Sequence, residues 1–227
     1  MQSRIGTFLL PALLALSLLA PASVSAQERT ITVNGSATQA VPNDTAGLGF
    51  QVAKERGSRA AALRVVSARL RQVIAAVQGI PGVAAGDVTT GRISIRKVIR
   101  GKRTLYKASE GISVILHQPD RAGEMVNAAI AAGATGTGGP RFFPGDPALA
   151  YENTLLAAFD QAKAKAAGLA SRAGATLGPA ISIEEGSEVV PAQPEADQKG
   201  ATAEPAPPTK PGSSTVTATV RVVFSLQ

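Results

Sequence analysis

The chain has 227 residues, no cysteine, one histidine and a formal charge of +7. The missing cysteines exclude disulfides, thiol chemistry and cysteine-based metal sites, and a lone histidine excludes the two-histidine zinc site and the HExxH helix. This length suffices for one good core without covalent staples, and the modest basic charge favours anionic surfaces without bearing on fold.

The first stretch has the three parts of a secretory signal. Arg4 is its basic start, Phe8 to Ala20 is a nearly unbroken apolar run, and Pro21 breaks it. Val24-Ser25-Ala26 then places small residues ahead of a cut before Gln27. The run is shorter than the ~20 residues of a membrane-spanning helix, and it lacks the polar positions of a buried amphipathic one. The expectation is a signal peptide over 1–26 and one domain over 27–227, exported to the periplasm, with the outer membrane in reach. Cleavage would remove Arg4 and leave +6.

Ile31 to Val41 reads as a strand ended by the turn cluster Pro42-Asn43-Asp44. Thr45 to Ala53 alternates, with Leu48, Phe50 and Val52 on one face. Ser58 is a natural N-cap for a helix whose apolar stripe is Leu63, Val66, Leu70, Val73, Ile74 and Val77, stopped by Gly79-Ile80-Pro81-Gly82. Two long strands follow, Asp87 to Gly101 and Leu105 to Gln118, joined at Lys102-Arg103-Thr104, with Gly111 as a bulge candidate. Pro119-Asp120 opens a shorter helix with the face Met125, Val126, Ala129 and Ile130.

Gly133 to Gly139 reads as a glycine-rich connection, and Arg141 to Phe143 as a short strand. Asp146-Pro147 is a cap-and-proline helix start. The helix from Ala148 to about Ala173 carries Tyr151, Leu155, Phe159, Ala162, Ala166 and Leu169 on one stripe, with Gly174 as its left-handed cap. Leu177 to Glu185 is a strand. From Gly186 to Ser214, prolines, alanines and scattered charges offer too little apolar surface to order a chain, so 186–214 reads as a flexible insertion. Val216 to Leu226 alternates cleanly and returns as a strand, since closure entropy grows only slowly with loop length. Paired strands mixed with about three helices predict an α+β domain, with helices covering a mainly antiparallel sheet.

Catalytic equipment is thin. His117 has no partner named by any motif, and no GxSxG elbow is present, although a triad assembled from distant positions stays open. Gly133 to Gly139 follows a helix and lacks a Walker lysine, so it is in the wrong context for a phosphate cradle. Glu184, Glu185 and Glu188 lack the interleaved ligands of a calcium loop. Asn34-Gly35-Ser36 and Asn43-Asp44-Thr45 match a glycosylation pattern of little weight. No cofactor or metal site is expected.

The distinctive feature is a run of cations, Arg92, Arg96, Lys97, Arg100, Lys102, Arg103 and Lys107, with no acid in the segment before Glu110. On a hairpin these gather on one face or at the tip. They form a candidate contact for anionic lipid, polysaccharide or an acidic partner, or else a solvated surface that resists aggregation. An exported chain with few aromatics is not expected to bind nucleic acid.

The order of short motifs resembles the SIMPL-domain family of periplasmic immunogenic and oxidative-stress-defence proteins. The motifs are Val33-Asn34-Gly35, Pro42-Asn43-Asp44, the alanine-rich first helix, Asp87-Val88-Thr89-Thr90 and Tyr106-Lys107-Ala108. Gly133-Ala134, Phe142-Phe143, the run Ala162-Lys163-Ala164-Lys165-Ala166 to Leu169-Ala170, Gly178 and Ile183-Glu184-Glu185 follow. The likeness spans Glu28 to Gln227. It implies an α+β fold, export, and in some members ring- or barrel-shaped oligomers. It brings no catalytic residues to carry over. Three functions stand open: a self-assembling, non-enzymatic homo-oligomer that protects the envelope; a binding module for anionic envelope components using the cations of 92–107; and a cryptic hydrolase using His117.

Overall fold

A computed structural model describes residues 29–186 and 210–227. The expected signal segment and residues 187–209 of the expected insertion lie outside the described residues. Eight strands and three helices follow in the order β1 (Thr30–Pro42), β2 (Thr45–Arg56), α1 (Arg59–Gln78), β3 (Val88–Thr90), β4 (Ser94–Arg100), β5 (Arg103–Leu116), α2 (Ala122–Ala131), β6 (Gly136–Phe143), α3 (Pro147–Arg172), β7 (Leu177–Glu185) and β8 (Ser213–Leu226). The α+β class holds, and every strand pairing is antiparallel.

The strands divide between two sheets. One has the order β1-β8-β7; the other runs β3-β5-β2-β6, with β4 also paired to β5. Although β1 and β2 adjoin in sequence, they enter different sheets. Asn43 sits at the crossing: its backbone N–H donates to Gly212 O at 3.1 Å, its Nδ2 donates to Pro211 O at 2.8 Å, and its Oδ1 accepts from Ser214 Oγ at 2.6 Å.

Each sheet buries its own core. Alternation along β2 and β5 places Ala46, Leu48, Phe50, Val52, Ala108, Ile112, Val114 and Leu116 on one face. Against it pack Ala62, Val66, Leu70, Val73 and Val77 of α1 and Ala122, Met125 and Ala129 of α2. Ser58 caps α1 by accepting from Ala61 N–H at 3.2 Å. In the other sheet, Val33, Ala218, Val220, Val222 and Phe224 face α3. Asp146 caps α3 by accepting from Leu149 N–H at 2.9 Å, with Pro147 at the first position, and Gly174 takes a positive φ of 69° beyond its end.

Several expected details differ. The strand expected over Asp87 to Gly101 is two strands. Between Thr90, opposite Ile112, and Ser94, opposite Ser109, it holds one more residue than β5, so the irregularity lies across from Gly111 and not at it. The hairpin turns at Gly101-Lys102, where Gly101 has φ 59°, and Arg103 is already in β5. Gly136 to Gly139 is not a loose connection: it belongs to β6 and pairs with β2. The buried line of α3 is Ala150, Thr154, Ala158, Ala162, Ala166 and Ala170, and Leu169 is exposed. Ser213 and Ser214, placed in the insertion by composition, pair with Pro42 and Val41.

Candidate functional site

The basic run lies on the β4–β5 hairpin, at one margin of the larger sheet. In the register, Ile95 faces Ala108, Lys97 faces Tyr106 and Ile99 faces Thr104. Because Ala108 is buried beneath α1, that row lies on the helix-covered side. The alternate row, Arg96 opposite Lys107 and Arg100 opposite Arg103, lies on the open side. Arg92, Arg96, Lys97, Arg100, Lys102 and Arg103 are exposed, and Lys107 is half-buried. The structure therefore spreads the cations over both faces and the turn, where the sequence suggested one face or the tip.

The run is not free of acid in space. Glu55, from β2, reaches Arg100 with an Nη2–Oε1 distance of 3.1 Å. This bond holds the Glu55 carboxyl below its ordinary value against partial desolvation, and the charges of Arg100, Lys107 and Arg96 act the same way. Reciprocally, Glu55 raises Arg100 above its ordinary value. On the helix side, Arg59 at the start of α1 lies over the Tyr106 ring, 5.4 Å from its centroid. Arg92, Arg96, Lys97, Lys102, Arg103 and Lys107 form no ion pair among the described residues.

Beside the charges runs an apolar stripe. Ile93, Ile95 and Ile99 are 43%, 37% and 68% exposed. They stand there because α1 packs on β2 and β5 and stops short of β4. β7 has the same character at the margin of the smaller sheet: Ile181 and Ile183 are exposed, followed by Glu184 and Glu185. Ile183 faces Val222 and Glu185 faces Val220, so both lie on the α3 side, where Tyr151 Oη donates to Glu185 Oε1 at 2.8 Å. Glu184 faces Arg221 on the open side. Glu188 lies outside the described residues.

His117 follows β5, with Nε2 3.3 Å from Asp87 Oδ2. Asp87 also accepts from Ala84 N–H at 2.7 Å, and His117 N–H donates to Gly82 O at 2.8 Å. These contacts tie the end of β5 to the segment after α1. Among the described residues, one shallow cleft of about 430 Å3 lies between Asn34, Lys165 and Glu184, and another of about 410 Å3 over Gly47, Gly49 and Gly138; His117 lines neither of these. Among the described residues, no three of His, Asp and Glu come together as a metal site, and no helix is long and apolar enough to cross a membrane. In the glycosylation-pattern segments, Gly35 is enclosed by α3 and Asn43 is held in a hydrogen-bonded turn, while Asn34 is exposed.

Over residues 31–224 the sequence matches the family model described as SIMPL, protein of unknown function (DUF541). No curated protein matches it.

Proposed function

Since the chain belongs to the SIMPL family, we propose that it is an exported, non-enzymatic protein that self-assembles and helps a bacterial envelope withstand oxidative stress. The observation that carries the assembly is the pair of outer strands, β4 and β7, each with exposed isoleucines beside an edge that no strand pairs with among the described residues. Exposed apolar residues gathered on strand margins are the composition of a contact surface, and monomers ordinarily blunt such edges. The stress role and the periplasmic location draw support from the resemblance in motif order and from the signal-like first segment.

Light scattering on the mature chain tests the assembly: a multiple of the monomer mass is expected at micromolar concentration, and a strict monomer overturns it. A deletion strain exposed to peroxide tests the role. Rescue by the wild-type chain is expected, and His117→Ala should rescue equally. Failure of His117→Ala with assembly intact would move the reading to a hydrolase.

A second reading takes the hairpin as a contact for anionic envelope components. It draws support from the exposed Arg96, Lys97, Lys102 and Arg103, which form no ion pair among the described residues. Reversal of Arg96, Arg100 and Arg103 should then abolish binding to anionic vesicles, and wild-type binding should fade steeply with salt.

A further inference from the structure

From the two outer strands we infer that β4 of one copy pairs with β7 of a second copy, head to tail. The inference rests on the self-assembly proposed above and names the surfaces that meet. It follows from asking, of each sheet margin, what keeps it from pairing.

The outer edge of β1 is already occupied. Gln161 of α3 accepts from Ser36 N–H at 2.8 Å, and Lys165 donates to Asn34 O at 2.6 Å, so helix side chains take backbone groups there that a further strand would need. β6 carries Pro140, which has no N–H, and a register shift opposite Gly47–Gly49. β3 has only three residues. β4 has neither proline nor glycine, and its register with β5 is unbroken over Ser94–Arg100. β7 is irregular near Pro179 but regular from Ser182 to Glu185. Among the described residues no strand pairs with the outer edge of either.

Charge then selects the partner. Two β4 strands side by side would set Arg96, Lys97 and Arg100 against the same residues, and two β7 strands would oppose Glu184 and Glu185. Like charges across a strand pair are destabilising. β4 against β7 sets cations against carboxylates on both faces: Lys97 and Glu185 lie on the helix-covered sides, Arg96 and Glu184 on the open sides. The same pairing adds Ile183 to the row of Ile95 and Ile99, in the gap that α1 and α3 leave uncovered. Because the two surfaces differ, the contact is heterologous, and repetition must close a ring or extend a filament.

Charge reversal tests this. One variant carries Arg96→Glu with Lys97→Glu, another Glu184→Lys with Glu185→Lys, and a third all four changes. Circular dichroism and the unfolding midpoint confirm that each variant folds. By light scattering, each two-residue variant should need about a hundredfold more protein to assemble. The four-residue variant should assemble like the wild type, and so should an equimolar mixture of the two-residue variants, by alternation. If the wild type assembles and the β7 reversal leaves its mass unchanged, the pairing is overturned while self-assembly stands. If the β4 reversal abolishes anionic-vesicle binding yet leaves assembly intact, the pairing is likewise overturned. A monomeric wild type removes the assembly reading itself.

Discussion

Glu55 shows what a local reading of charge misses. The seven cations of 92–107 are visible in sequence because they crowd one segment, but their acid lies 45 residues before Arg100 and arrives only through the β2–β5 register. His117 and Asp87 are separated in the same way, and no spacing announces them. The Arg100 bond lowers the Glu55 carboxyl in the folded state, so its stabilising contribution is present above the ordinary carboxylate value of 4.5 and is lost as pH falls through the lowered one. Replacing Arg100 with Gln should raise the Glu55 titration midpoint, read by carboxyl carbon NMR, toward that ordinary value. Stability below 4.5 should then depend less on pH, with little change at neutral pH because the pair is solvated. An unmoved midpoint would mean that Lys107 and Arg96 set the Glu55 environment without Arg100.

Elements with a strong period were legible: α1 and α3 lie within a residue or two of their expected limits, and the alternating Val216 to Leu226 is the body of β8; β7 also has its expected bounds. β6 was legible only at Arg141 to Phe143, because the glycines and threonine before them carry no hydrophobic period; Gly136–Gly139 is a strand because β2 offers an edge to pair with. The stripe expected for α3 mixed large residues with Ala162 and Ala166; its buried line is small, with Tyr151, Leu155 and Phe159 packed partly buried beside it. Ala158 and Ala162 let the helix approach β1 so closely that a Cβ on Gly35 would collide with Ala158 O and stand 2.8 Å from Ala162 Cβ. Gly35→Ala must push backbone from backbone and should cost about 2 kcal/mol or more in urea unfolding. Gly168, in the same helix, has nothing within 4 Å of an added Cβ, and Gly168→Ala should stabilise by roughly 0.5–1 kcal/mol. Opposite signs for two identical changes would locate the effect in the helix–strand approach; a neutral Gly35→Ala would mean that α3 can slide.

The division into two sheets was the least legible feature, since the paired strands read as a mainly antiparallel sheet covered by the helices. Asn43 passes the chain from one sheet to the other, held there by hydrogen bonds to Pro211, Gly212 and Ser214. The core beneath α1 and α2 and the core beneath α3 share no residue. Cooperativity follows shared burial, so the two halves can open separately. Val66 is fully buried in the first core, and Val66→Ala should cost about 2 kcal/mol there. Hydrogen exchange followed by mass spectrometry should then show protection in β2 and β5 falling by roughly thirtyfold, with β1 and β8 unchanged. An equal fall in both sheets would show that the junction at Asn43 couples the halves into one unit. Separate opening also bears on assembly, because β4 and β7 belong to different sheets: a contact joining β4 of one copy to β7 of the next would link a first core to a second in every pair. Protection in wild-type β7 and β8 should therefore rise with protein concentration and fall to the monomer level in the Arg96→Glu, Lys97→Glu chain.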